Sequence, residues 1–167
     1  MATGLVSRGV SSPVLRRLSL LSVSLFAVSL YAAEPAVTLS GAWVRALPPT
    51  QAVTAAYVEI HNAGEQAVTV EGASVAGAGR VEMHETLTEA GLTRMQQLTT
   101  LTVAPGETRA LQPGGAHLML FELERMPREG ESLRLCIEVA GGETVCADAL
   151  VRKAAPGNDE MDHSHHH

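Results

Sequence analysis

Two histidines and two methionines recur in the chain at spacings that suit metal binding. Ten residues separate His84 from Met95, twenty-one separate Met95 from His117, and one separates His117 from Met119. Thioether sulfur is a soft, neutral ligand that suits monovalent copper, and imidazole binds most late transition metals without adding charge. A His2Met2 set of this kind would hold Cu(I). We therefore take these four residues as the candidate primary Cu(I) site.

The short spacing between His117 and Met119 predicts how they are presented. On a β-strand, residues two apart share one face, so both side chains would point to the metal while Leu118 points away. By the same alternation, Met83 should face the core if His84 faces the metal. The residue types alone leave a second interpretation open. Methionine often fills gaps in cores, and a single histidine is often a polar residue with a hydrogen-bond partner.

The same four positions resemble the copper-binding motif of the PCuAC periplasmic copper chaperones. The similarity extends over about residues 37–150 and includes segments 42–45, 55–58, 81–86 and 111–120. The resemblance implies an all-β, cupredoxin-like fold, an antiparallel Greek-key sandwich or barrel. It also implies that the protein carries Cu(I) toward the binuclear copper site of cytochrome c oxidase. The copper-accepting partner would then be subunit II of that oxidase or another copper chaperone.

The rest of the domain has the pattern of an all-β protein. Short apolar runs broken by turns recur at a spacing that is typical of sandwiches and barrels, and no stretch keeps helical periodicity over several turns. The clearest predicted strands cover residues 55–60, 68–73, 80–86, 118–123 and 133–139. We assign Trp43 and Tyr57 to the core and His61 to an exposed position near a turn.

The last predicted hairpin carries both cysteines of the chain. A three-residue loop at 140–142 would pair Ile137 with Val145 on the core side. The same register places Cys136 opposite Cys146 on the outer face, where an oxidising compartment favours a cross-strand disulfide. Two free thiols are the alternative.

The first residues predict an exported protein. Residues 1–33 contain three arginines and no acid, and they end in an uncharged apolar run with small residues, as in a secretory signal peptide. The run is shorter than the roughly 20 apolar residues that a membrane span needs, so no span is expected in the mature chain. We expect a periplasmic location after cleavage. A mitochondrial presequence is the alternative.

Removal of this leader would leave a strongly acidic chain. All eighteen acids lie from Glu34 onward, against nine of the twelve lysines and arginines, so the mature chain has a net charge near −9. Such a charge disfavours nucleic acid as a partner.

Residues 154–167 form an acidic, histidine-rich tail after a domain that we expect to span residues 34–153. The tail lacks the apolar residues of a core, which predicts disorder. It contains five further ligand types, which predict a second copper site able to take Cu(II) through imidazole: Met161, His163, His165, His166 and His167. A purification tag is the alternative.

Other functions fit the sequence less well. A blue-copper electron carrier needs a cysteine thiolate beside two histidines, and neither cysteine is followed by histidine and methionine at short spacing. An enzyme is not expected, because no nucleophile triad order, phosphate loop or paired carboxylate motif stands out. A metal-free binding module would leave the four-residue spacing unexplained. A copper-tolerance or storage protein with the same site is a further alternative.

Overall fold

The computed structural model describes residues 36–154, which form ten β-strands and no helix. In chain order, the strands are β1 (Val37–Arg45), β2 (Thr54–Asn62), β3 (Val68–Val75), β4 (Ala78–Glu89), β5 (Leu92–Leu98), β6 (Leu101–Val103), β7 (Thr108–Leu111), β8 (Ala116–Leu123), β9 (Ser132–Val139) and β10 (Glu143–Arg152). The predicted signal peptide and the five predicted tail ligands lie outside the described residues. Between residues 36 and 154, no helix is long and apolar enough to cross a membrane.

The strands pair in the order β5-β4-β8-β2-β1-β10-β9-β3-β6, and β7 pairs with β2. Neighbours such as β4 and β5 or β9 and β10 are hairpins, whose short turns enforce antiparallel pairing. β1 and β10 instead pair in parallel, with Trp43 opposite Leu150. The predicted antiparallel pairing therefore holds for the other strand pairs of the described residues, and this pair is the exception. The two strands are far apart in sequence, so no turn constrains their direction.

One hydrophobic core lies against the inner faces of these strands. Its fully buried side chains come from both halves of the strand order, among them Ile60, Leu118, Leu120, Leu135 and Ile137. Burial of each such side chain contributes about 1.5–3 kcal/mol. The alternate residues on the same strands point outward. The all-β fold class predicted from the apolar pattern is confirmed.

The last hairpin has the register that the sequence predicts. Ile137 pairs with Val145, and Cys136 pairs with Cys146 across β9 and β10. The two cysteines form a disulfide with their Cα atoms 4.0 Å apart. The hypothesis of a cross-strand disulfide is confirmed, and the alternative of two free thiols is wrong.

Candidate metal centre

The two body histidines of the predicted site lie directly opposite each other on neighbouring strands. The β4–β8 register pairs His84 with His117 and Glu82 with Met119. The ring centroids of His84 and His117 are 6.1 Å apart. Residues two apart on a strand share a face, so all four side chains lie on one face of this strand pair. Strand pairing alone brings these two histidines together across thirty-two residues of intervening sequence.

The opposite face of the same strand pair belongs to the core. Met83 on β4 and Leu118 on β8 are paired with each other and are 6% and 0% exposed. Met83 is therefore a packing residue, as the alternation predicts. The ligand candidates are on the other face, where His117 is nevertheless buried at 6% exposure.

His117 has one ring nitrogen held by the backbone and one left over. Its Nδ1 lies 2.9 Å from the carbonyl oxygen of Gly115. A carbonyl only accepts hydrogen bonds, so Nδ1 must carry the proton and Nε2 keeps its lone pair. A bond of this kind to the second nitrogen is what orients metal-binding histidines in proteins.

The turn before β8 places that carbonyl. Gly114 has φ +81°, a conformation that glycine adopts without steric strain. This allows the backbone N–H of Gly115 to donate to the carbonyl of Gln112 at 3.1 Å. The Pro113-Gly114-Gly115 sequence thus builds a tight turn that fixes the orientation of the His117 ring.

His84 shows the same division of roles with its nitrogens exchanged. Its Nε2 donates to the carboxylate of Glu82 at 2.9 Å, and this carboxylate also pairs with Arg80. Its Nδ1 is buried and has no hydrogen-bond partner among the described residues. Burial lowers the pKa of His84, which favours the neutral ring. A neutral ring with a buried, unpartnered lone pair is the state that metal coordination requires.

The two methionines border the same pocket as His117. Met119 is half-buried on β8, and Met95 lies opposite Thr86 on the edge strand β5. A pocket of about 240 Å³ is lined by both sulfur-bearing side chains together with His117 and Thr86. Met95 is 54% exposed, which is high for a large apolar side chain. The structure therefore brings Met95, His117 and Met119 to one pocket, and it places His84 beside His117.

The side of this pocket formed by β1 and β2 contains residues for which the sequence analysis predicted no role at the site. Tyr57 and Arg45 line it, and Trp43 stacks on Tyr57 with ring centroids 4.3 Å apart. The Tyr57 ring centroid lies 6.5 Å from that of His117. Trp43 and Tyr57 are buried, with 3% and 4% of their surfaces exposed, as their assignment to the core predicted. They lie outside the main hydrophobic cluster of the sheet. Trp43 and Arg45 share one face of β1, and Ala55 and Tyr57 share one face of β2, because each pair is two residues apart. Only the pairing of β1, β2 and β8 shows that these faces lie beside the ligands.

Glu82 is a further residue that the sequence analysis missed, although a signal for it was present. It stands two residues before His84, so strand alternation puts both on one face.

His61 lies away from the pair of His84 and His117. It is half-buried at the end of β2, where its Nδ1 lies 3.0 Å from Oγ1 of Thr108. The expectation that it would be exposed was wrong, because β2 extends further than predicted.

Within residues 36–154, no three side chains of His, Cys, Asp or Glu gather into a metal-binding group. The candidate site has a different composition, two imidazoles and two thioethers. A larger pocket of about 740 Å³ lies elsewhere and is lined mainly by apolar and basic residues, including Pro48, Met126 and Lys153. It contains none of the predicted ligands.

Solved structures with the same architecture define the class of protein. The copper-bound PCuAC domain of PmoF2 matches with a TM-score of 0.60 at 19% identity, over 73% of this chain and 97% of that domain. The Cu(I)-bound DR1885 protein of Deinococcus radiodurans matches with a TM-score of 0.57 at 34% identity, over 73% of this chain and 81% of that protein. The fold is the cupredoxin-like β fold of PCuAC domains, as the resemblance implied, and the chain is homologous to PCuAC copper-binding domains.

Sequence comparison assigns the chain to a family. The family model for putative lipoprotein LpqE-like proteins matches residues 37–151. A putative lipoprotein of Leifsonia xyli subsp. xyli is 32% identical over 124 residues, 74% of each chain. The protein belongs to the LpqE-like family.

Proposed function

We propose that this protein is an exported copper chaperone that carries one Cu(I) on His84, Met95, His117 and Met119. The observation that supports it most directly is the pair of opposed histidines. Each ring has one nitrogen engaged by a fixed acceptor, and its other nitrogen, Nδ1 of His84 or Nε2 of His117, is the one left for a metal. With Met95 and Met119 beside them, these nitrogens complete a soft, neutral donor set.

The donor set suits a carrier better than a permanent binding site. Without a thiolate, no ligand must bind a proton when copper leaves, so release to a stronger acceptor is not linked to protonation of the site. Met95 lies on an edge strand and is exposed, which would let an acceptor reach the metal from that side. The cargo is therefore held firmly enough to travel and remains exchangeable.

The family resemblance suggests the destination. We propose a copper-accepting protein as the partner, either subunit II of cytochrome c oxidase, at its binuclear copper site, or another copper chaperone. The protein would act as a carrier and not as an enzyme. We further propose a periplasmic location after cleavage of a signal peptide at residues 1–33. The disulfide between Cys136 and Cys146 supports an oxidising compartment. The family is described as one of putative lipoproteins, which is consistent with export.

The alternative of a blue-copper electron carrier is disfavoured by the same disulfide. That type of site needs a cysteine thiolate as a ligand. The chain has two cysteines, and both are bonded to each other on the β9–β10 hairpin. A copper-tolerance or storage protein would use the same pocket and differs only in whether copper is passed on.

Anaerobic Cu(I) titration against a colorimetric chelator tests the proposal. The mature wild-type chain, the double variant His117→Ala, Met119→Ala, and a control variant His61→Ala would be compared. We expect the wild type and the control to retain one tightly bound Cu(I) and the double variant to release it. Retention by the double variant would assign the tight copper to other residues and overturn the proposed site.

Transfer is tested separately by mixing the Cu(I)-loaded protein with the apo form of a soluble copper domain of oxidase subunit II. A chaperone passes the metal on, so the acceptor should gain copper while the His2Met2 protein loses it. A loaded protein that keeps its copper in the presence of the apo acceptor would favour storage or tolerance.

A further inference from the structure

A guanidinium group lines the pocket that contains the candidate ligands. Arg45, near the end of β1, borders the same pocket as Met95, His117 and Met119. Its Cζ atom lies 5.5 Å from the ring centroid of Tyr57 and 6.0 Å from that of Trp43. These two buried rings hold the side chain in place by cation–π contact, so the charge is fixed in position.

No carboxylate offsets this charge within residues 36–154. Among the ion pairs of that region none involves Arg45, and its Nε is buried without a hydrogen-bond partner there. The strand register places a second cation, Arg152, opposite Arg45 on β10. Glu82, the carboxylate that contacts His84, is already paired with Arg80. The side of the pocket that β1 contributes is therefore positively charged.

The effect of this charge is felt at a neighbouring group. Burial raises the pKa of Tyr57, and the positive charge of Arg45 acts in the opposite direction and lowers it. Tyr57 lies between Arg45 and His117, since it contacts the first and its ring is 6.5 Å from the second. The field of the guanidinium thus extends toward the ligand side of the pocket.

A positive charge beside a cation site weakens binding in proportion to the charge of the ion. Coulomb energy is linear in that charge, so the free-energy penalty for a divalent ion is twice the penalty for a monovalent ion. Expressed as an affinity, the factor for Cu(II) is then the square of the factor for Cu(I). Imidazole ligands alone would accept both Cu(II) and Zn(II), so the histidines do not supply this discrimination.

We propose that Arg45 is a specificity-determining residue that excludes divalent ions from the copper pocket and keeps Cu(I) exchangeable. This inference rests on the proposed Cu(I) site and adds to it a charge-based selection of the oxidation state. Neutral ligands select a soft metal, and the fixed guanidinium selects the lower charge.

Three variants of the mature chain test the inference. Arg45→Gln removes the charge, Arg45→Lys retains it, and Arg134→Gln removes one charge from an exposed pair with Asp148 on the β9–β10 hairpin, which contributes no residue to the pocket. Cu(I) affinity would be measured anaerobically by chelator competition. Cu(II) binding at the pocket would be measured by quenching of Trp43, the single tryptophan of the chain, which stacks on the pocket residue Tyr57.

We expect Arg45→Gln to raise Cu(I) affinity on the order of tenfold and Cu(II) affinity by about the square of that factor, on the order of a hundredfold. Arg45→Lys and Arg134→Gln should both remain close to the wild type. Thermal unfolding of each apo variant checks that it is folded. Arg45→Leu serves as a second neutral variant if the glutamine variant does not fold.

Three results would overturn the inference. They are unchanged affinities in Arg45→Gln, equal factors for the two ions, and an Arg45→Lys variant that behaves like Arg45→Gln, which would indicate packing and not charge. Failure of the proposed function looks different. In that case, the wild type would bind no tight Cu(I), or the double variant of His117 and Met119 would bind Cu(I) as tightly as the wild type does.

Discussion

The two histidines present different nitrogens to the same space, and their hydrogen-bond partners determine which. His117 is held through Nδ1 by a backbone carbonyl, whereas His84 is held through Nε2 by the side chain of Glu82. A backbone carbonyl cannot be removed by substitution, but a carboxylate can. Glu82 is therefore the residue through which the orientation of a ligand ring can be tested without touching a ligand.

We predict that Glu82→Gln weakens Cu(I) binding about 10–100-fold, the usual effect of losing a group that orients a metal-binding histidine. The amide can still accept a hydrogen bond, but it lacks the charge that holds and polarises the ring. Chelator competition measures the change. Glu122→Gln is the matched control, because Glu122 pairs with Arg80 and has no contact with His84. Equal affinities for the Glu82 variant and the wild type would contradict a positioning role.

Burial of His84 also predicts a pH dependence of stability in the apo protein. Its pKa in the folded state is below the ordinary value of 6.5, so the unfolded chain takes up the proton first as pH falls. The stability that this residue contributes is complete above pH 6.5 and is lost as pH falls toward the folded-state pKa.

Melting temperatures between pH 7.5 and 5 would measure this effect. We expect a smaller acid-induced decrease in His84→Gln than in the wild type, and a wild-type decrease in the control His61→Gln. A decrease of the same size in His84→Gln would show that other groups are responsible.

At the scale of single strands, successive side chains of β4 point to opposite faces, so one face packs in the core and the other carries a ligand. Met83 and His84 are neighbours in sequence, yet Met83 is in the core and His84 faces the site. The edge strand β5 carries Met95 on the ligand face, where it is largely exposed. Two methionines twelve residues apart in the sequence therefore have opposite roles.

We predict contrasting effects of two methionine substitutions. Met83→Ala should lower the free energy of unfolding by about 2–5 kcal/mol, because it leaves a cavity in the core. It should change Cu(I) affinity little. Met95→Ala should cost less than about 1 kcal/mol, as surface substitutions do, and should weaken Cu(I) binding. Urea unfolding and chelator competition on the same samples measure both. A Met95 variant with wild-type affinity would remove Met95 from the ligand set.

The disulfide of the β9–β10 hairpin is predicted to act on stability alone. A Cys136→Ser, Cys146→Ser variant should lose about 2–4 kcal/mol, because the link restricts the unfolded chain. β2 and β1 separate this hairpin from β8 in the strand order, so Cu(I) affinity should be unchanged. Urea unfolding with and without reductant checks the stability term, since reductant should destabilise only the wild type. A large loss of copper affinity would show coupling between hairpin and site.

At the scale of the whole molecule, the body and the tail are predicted to differ in the copper they take. The body site has two thioethers, whereas the tail has four histidines and one methionine beside several acids. Imidazole and carboxylate favour Cu(II), and thioether favours Cu(I). The acidic mature chain would attract either ion to its surface.

We predict that a chain ending at Lys153 keeps its single Cu(I) with unchanged affinity and loses additional Cu(II). Equilibrium dialysis followed by metal analysis measures both stoichiometries. A full-length variant with serine at positions 163, 165, 166 and 167 controls for chain length and should match the truncated form. A truncated chain that holds no Cu(I) would assign the copper to the tail and leave the central four residues as packing.

Much of the fold followed from local patterns in the sequence. Alternating apolar residues predicted the strands, because burial on one face of a sheet imposes a period of two. The same rule placed Met83 in the core and Cys136 opposite Cys146, since a short turn leaves a hairpin few registers. Where strands are distant in sequence, no such constraint exists, and the parallel pairing of β1 with β10 was not predictable.

The same distinction applies to the site. By itself, the sequence determined the ligand types and their strand-face relationship at His117 and Met119, because these depend on side-chain chemistry and on residues two apart. Only the tertiary structure decided that His84 lies opposite His117, and that Arg45 and Tyr57 line the same pocket as His117. Those relationships depend on the register between non-adjacent strands. The combined burial of many side chains in the core sets that register, and no short motif encodes it.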